Sequence, residues 1–301
     1  MAAGSLFLTQ FNWSAFINAL VLGLSIASIW LIAALGLTII YGAAGVINMA
    51  HGELIMLGAY STYTLQTSFG IPFLLCIPLS FLIVGAIGLL LERVLIRYLY
   101  KRPLDTMLAT FGVSLVLIQG TRIIFGSSPK YVDVPEFLSG SLEIGFVNIA
   151  TVRILIFVVT VAVCVALWFL FFRSRFGIQV RAVTQEKEMA ASFGVNSGRV
   201  YMMTFALGAG LAGLAGAILC AMATVLPTMG GNYLVPSFLV VVVGGGALAG
   251  SVAAGVGTGE LQSIFAYFTN DTFARFVLFI LIVVFLRLRP QGLFAPSAKR
   301  R

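Results

Sequence analysis

Long apolar runs separated by short polar breaks dominate the chain, and their lengths set the first expectation. Hydropathy places these runs at 16–41, 52–69, 73–96, 105–125, 153–172, 200–223, 237–268 and 273–289. Most approach or exceed the roughly 20 residues that a helix needs to cross a bilayer. Barrel strands would be shorter and strictly alternating. The expected fold is therefore all-α, a polytopic transmembrane helical bundle, with residues 1–301 forming a single membrane domain. No charged stretch precedes the first run and no small-residue cleavage site follows a short one, so the first span is expected to stay in the mature protein.

Two segments depart from plain helix. The run 237–268 is interrupted by Gly244, Gly245, Gly246 and Gly250 and is long enough for two short legs or one broken helix. A similar break lies between Gly42 and Gly52. Irregular backbone at membrane depth is tolerated where protein buries it or where it lines a watered cavity. Glycine-broken or re-entrant segments are expected at both places. Small residues also recur every fourth position, at Gly208, Ala212 and Gly216, at Gly246 and Gly250, and at Gly255 and Gly259. Such stripes let helices approach closely in lipid.

Composition agrees: 60% of residues are hydrophobic and 9% charged, with a mean hydropathy of +1.07. A net charge of +8 would suggest nucleic acid in a soluble protein, but here the cations flank spans, which points to topology and anionic lipid instead. They cluster at Arg93, Arg97, Lys101 and Arg102, at Arg173, Arg175, Arg181, Lys187 and Arg199, and at Arg287, Arg289, Lys299, Arg300 and Arg301. The positive-inside rule makes all three clusters cytoplasmic. The stretch from Arg122 to Arg153 instead sets Lys130 against Asp133, Glu136 and Glu143 and reads as the main external loop. Eight simple crossings would then leave the basic C-terminus outside. That contradiction singles out 237–268 as the segment that does not cross once.

Cys76, Cys164 and Cys220 stand singly in apolar runs, and His51 is the one histidine, so neither a metal nor another cofactor is expected. No G-x-x-x-x-G-K-[ST] phosphate loop occurs, so any ATP hydrolysis belongs to another chain.

Two polar clusters carry candidate chemistry. In GAAGVINMAHGELIMLGAY, residues 42–60, Asn48 and His51 share a helix face if the segment is helical, and Glu53 brings a carboxyl into an apolar run. A charge at the bilayer centre costs at least about 2.5 kcal/mol, so such groups face a bundle interior or a watered cavity. Two readings are open. Asn48, His51 and Glu53 line a substrate pathway with Thr110 and Gln119, or they satisfy the broken backbone near Gly45 and Gly52. The second cluster lies in FRSRFGIQVRAVTQEKEMAASFGVNSGRVY, with 173–199 as a cytoplasmic loop. Thr184 to Phe193 is rich in helix formers and Gly194 is a plausible stop, so one short amphipathic helix is expected there. A solvated loop and a helix lying on the membrane surface are the alternatives.

With GLTIIYGAAGVINMAHGELIMLGAY, the spacing of Glu188, Ala190 and Gly194, and GRVYMMTFALGAGLAGLAGA, the chain resembles the permease subunits of ABC importers of the branched-chain amino acid family. RPLDTMLATFGVSLVL, VRAVTQEKEMAASFGV and RPQGLFA at 289–295 are similar to the urea-type permeases within it. The resemblance covers about residues 16 to 295. It implies a single permease domain in the bacterial inner membrane and no enzymatic activity of its own. Its implied partners are a related second permease subunit in a heterodimer, two cytoplasmic ATPase subunits and an external solute-binding protein. Glu188, Met189, Ala190, Ala191 and Gly194 are then the segment coupled to the ATPase, with Met189 where such permeases more commonly carry alanine. The expected cargo is urea or a short amide, with branched-chain amino acids as the alternative. A stand-alone channel or a proton-coupled carrier using His51 and Glu53 is the reading from a different class.

Overall fold

The computed structural model describes residues 12–100, 102–144 and 147–294. Lys101, Lys299, Arg300, Arg301 and Ala295 lie outside the described residues. The chain is an all-α polytopic bundle, and five of its described helices are long and apolar enough to cross a membrane. α1 (Trp13–Ala44), α2 (His51–Phe69), α3 (Phe73–Val94) and α4 (Pro103–Phe125) follow one another. After a short helix, α5 (Glu136–Ser139), strands β1 (Ser141–Ile144) and β2 (Val147–Ala150) form an antiparallel hairpin, the one sheet among the described residues. Then come α6 (Thr151–Arg173), α7 (Arg175–Gln185), α8 (Lys187–Ser192), α9 (Ser197–Leu219), α10 (Gly231–Gly244), α11 (Leu248–Phe268) and α12 (Asp271–Leu288).

The expected run 237–268 divides. Gly245 and Gly246 both adopt positive φ, 74° and 70°, in the left-handed region that a helix cannot continue through and that side chains disfavour. Gly245 caps α10 by donating its N–H to the Val242 carbonyl at 3.1 Å. α11 then turns back so closely that a Cβ on Gly244 would lie 2.6 Å from the Ser251 nitrogen. The first break is also present, over residues 45–50, where Gly45 at φ 66° closes α1. Dividing 237–268 also removes the sidedness contradiction, because one additional pass brings the C-terminal segment back to the basic end.

Small residues decide the packing. α9 is the central helix, and its glycines meet a different neighbour at each turn. A Cβ on Gly208 would come 2.5 Å from the Gly36 carbonyl oxygen of α1, on Gly210 2.8 Å from the Phe81 ring of α3, and on Gly216 into the Ile55 carbonyl of α2. α11 runs antiparallel to α1 by the same device, Gly255 meeting Leu31 and Gly259 meeting Ala27. At the two ends of that seam, Ser251 and Thr38 share a hydrogen bond of 2.7 Å, and the Ser263 hydroxyl donates to the Ala19 carbonyl. In lipid, where apolar burial between helices gains little, close backbone contact is the main cohesive interaction.

The molecule has two chemically distinct ends. At one, Gly42 and Tyr41 abut Gly246, and the Leu293 amide donates to the Val243 carbonyl at 2.7 Å. Ile96, Val46 and Phe205 pack there too, so the described members of all three basic clusters gather at this end. At the other, Gln66 brackets Asp133 with hydrogen bonds of 2.8 and 3.0 Å, and Lys130 forms a two-way backbone bridge with Val225.

Candidate functional site

The first break assembles a sealed polar cluster. Asn48 Oδ1 accepts from the Ala50 amide at 3.0 Å and so opens α2, while Nδ2 has no partner. His51 Nε2 donates to the Ala33 carbonyl of α1 at 2.9 Å. Because a carbonyl can only accept, this bond fixes the proton on Nε2 and leaves Nδ1, which has no partner, facing the interior. The ring fits because α1 carries Gly36 opposite it, where a Cβ would lie 3.2 Å from Cε1. Glu53 stands in the first turn of α2, where the helix dipole favours a carboxylate. Its Oε2 has no partner, and the Ser114 hydroxyl lies within hydrogen-bonding reach. Asn48, His51 and Glu53 are 2%, 0% and 4% exposed.

α4 closes this cluster with hydroxyls. Its buried residues are Thr106, Thr110, Ser114 and Thr121, all polar, whereas Leu104, Leu108, Phe111, Leu115 and Val116 on its other faces are exposed. Thr110 Oγ1 accepts from the Met49 amide at 3.0 Å and so ties α4 to the break. The structure thus places Asn48, Glu53 and Thr110 at the seam of the break with α4, sets His51 against α1, and leaves Gln119 out. Nine residues beyond Thr110, Gln119 falls half a turn away on the opposite, exposed face, where its Oε1 accepts from Arg122 at 3.5 Å. Ser114 was missed by the sequence reading. Its signal was the four-residue hydroxyl period Thr106, Thr110, Ser114 in an otherwise apolar helix.

The segment after α6 differs from the single helix expected over Thr184–Gly194. Thr184 and Gln185 end α7, Glu186 is extended at φ −153°, and a new short helix, α8, begins at Lys187. A tight corner precedes α7. Ser174 accepts the Gly177 amide at 3.2 Å, and Arg181 donates to the Phe171 carbonyl. Gly194 ends α8 at φ 82°. The Val195 amide reaches back to the Ala190 carbonyl at 3.1 Å and the Gly194 amide to the Ala191 carbonyl at 2.9 Å, which is a Schellman cap. Ala190 is buried in a cluster with Val180, Val183 and Val200. Met189 and Phe193 project outward, 61% and 82% exposed. Glu188 and Ala191 are exposed on the same short helix. Lys187 Nζ lies 5.3 Å from the centre of the Tyr201 ring.

A glycine-packed bundle with a polar break at its centre and an anchored surface helix at its basic end defines a membrane permease component. The chain matches the family described as branched-chain amino acid transport system / permease component over residues 19–286 and belongs to it. It is 30% identical over 292 residues to the high-affinity branched-chain amino acid transport system permease protein BraD of Pseudomonas aeruginosa, covering 92% of this chain and 95% of that one. LivH of Escherichia coli, of the same description, is 27% identical over 294 residues, with 92% and 95% covered. LivM of Salmonella typhimurium, also so described, is 26% identical over 288 residues, covering 88% of this chain and 67% of that one. No solved structure matches. The chain is accordingly a multi-pass inner-membrane permease subunit and not itself an enzyme. Nothing in these relatives points to urea.

Proposed function

We propose that this chain is one of two related permease subunits of an ATP-driven importer and that it passes branched-chain amino acids. Its partners are a second permease of the same family, two cytoplasmic ATPase subunits and an external solute-binding protein. The basic end faces the cytoplasm by the positive-inside rule. The observation that carries the reading is α8, a short helix anchored by buried Ala190 that presents Met189 and Phe193 at that end. Two exposed apolar side chains on a rigidly capped turn are suited to a groove in a soluble partner. The basic residues Arg173, Arg175 and Arg181 hold its entry on the same side. The cargo follows from the relatives' names, all of which specify branched-chain amino acids.

The polar cluster at the first break is the part of the pathway contributed by this chain, opened when the surrounding helices shift. A neutral amide such as urea is the second reading. Asn48 Nδ2, which has no partner, offers a donor, and the oxygens of Thr110 and Ser114 offer acceptors, without a fixed ion pair. Uptake of labelled leucine and of labelled urea by the reconstituted complex separates the two. Leucine uptake that depends on ATP and on the binding protein is the expected result, and ATP-dependent uptake of urea alone overturns the assignment of cargo.

A further inference from the structure

Arg93 in the last turn of α3, Arg97 in the short turn just beyond it and Arg199 in the first turn of α9 line one cavity of about 360 Å³, together with Glu92, Asn196, Gly198 and Met202. Among the described residues none of the three guanidinium groups has a carboxylate within 4.0 Å. The one acid in the lining is already engaged: Glu92 is 1% exposed and its Oε1 accepts from the Tyr100 hydroxyl at 2.9 Å. Burial first, and the Glu92 carboxylate second, hold the Tyr100 pKa above its ordinary value, so Tyr100 remains a donor to Glu92 across the physiological range. Three convergent arginines against one engaged carboxylate leave the cavity cationic. Guanidinium groups have the planar donor geometry that suits phosphate oxygens.

We propose that this cavity is a binding site for a phosphate-bearing anion, supplied by the headgroup of an acidic phospholipid of the inner leaflet. The lipid source is favoured by the surroundings. Leu90, Val94 and Tyr98, on the same stretch as Arg93 and Arg97, are 59%, 65% and 75% exposed, so acyl chains could lie along that stretch while the phosphate enters the cavity. The position also has a consequence for coupling. Arg199 lies just beyond the Gly194 cap of α8, so a phosphate held by Arg93, Arg97 and Arg199 would join the inner end of α3 to the exit of the proposed docking segment.

The test reads binding, not transport, so its failure is separable from failure of the proposed function. The full-length chain is placed in phosphatidylcholine nanodiscs and titrated with phosphatidylglycerol or, in a second arm, with inorganic phosphate. Saturable phosphatidylglycerol binding that weakens at least fivefold in an Arg97→Gln/Arg199→Gln variant is expected. Arg102→Gln, whose side chain faces Asp105 at 3.6 Å, should bind as the wild type does. Saturable binding of inorganic phosphate with the same dependence on the arginines would identify a soluble source of the same chemistry. Should the double variant fail to fold, protection of Arg93, Arg97 and Arg199 in the wild type from phenylglyoxal by either probe replaces it. Binding unaffected by the substitutions, or no protection by either probe, overturns the site.

Discussion

His51 shows how a residue can serve structure and transport at once. Its Nε2–H closes a bond to the Ala33 carbonyl, which anchors the start of α2 to the middle of α1, and its Nδ1 stays unpartnered in the interior. Loss of the ring removes this bond and leaves a buried void opposite Gly36, together a cost of about 1–3 kcal/mol, while the Ala33 carbonyl keeps its own helix bond. We expect His51→Ala to lower uptake by at least about fivefold at matched levels of assembled complex, well beyond what about 1–3 kcal/mol of stability would remove from a folded population. Uptake at the wild-type rate would leave His51 a purely structural residue. Gly216 offers a contrast with no role in chemistry. A Cβ there would run into the Ile55 carbonyl, and overpacking of this kind costs about 1–3 kcal/mol. Gly216→Val should therefore lower the thermal midpoint of the purified chain, whereas Gly112→Ala, on α4 with nothing within 4 Å of the new Cβ, should not.

Among the elements, α8 depends closely on one backbone conformation. Gly194 at φ 82° sets the Schellman cap, and a β-branched residue there resists the left-handed region by roughly 1–2 kcal/mol. Gly194→Val is expected to disturb the turn that presents Met189 and Phe193, and so to abolish substrate-stimulated ATP hydrolysis by the reconstituted complex. Phe193→Ser should reduce it while leaving the fold intact, because that side chain is 82% exposed. If both variants hydrolyse ATP as the wild type does, α8 is not where the ATPase docks. Boundaries elsewhere were legible from hydropathy, the run 105–125 appearing as Pro103–Phe125 and 73–96 as Phe73–Val94. The division between α7 and α8 was not, because Gln185, Glu186 and Lys187 are all adequate helix formers. The corner that precedes α7 and the burial of Val183 and Ala190 against the bundle override local propensity there.

For the whole molecule, sidedness is the property most open to direct measurement. A cysteine introduced at Gln291, exposed and at the basic end, should be protected from an impermeant maleimide in intact cells, and one at Ser128 in the opposite loop should react. The reverse pattern would invert the topology. The sequence by itself determined the helical class, the family, the number and approximate limits of the apolar runs and the presence of two glycine breaks. All of these are written in local composition and in the length a bilayer demands. It also marked Asn48, His51 and Glu53, since ionisable and amide groups are conspicuous in an apolar run. Tertiary structure alone decided which face of α4 meets them, bringing Thr110 and Ser114 inward and turning Gln119 away, because side-chain direction depends on the rotation of a helix against its neighbours. It alone decided that 237–268 turns back at Gly245, and that arginines about a hundred residues apart in sequence share one cavity. Such juxtapositions depend on contacts between distant segments, and a linear pattern of residues does not specify those contacts.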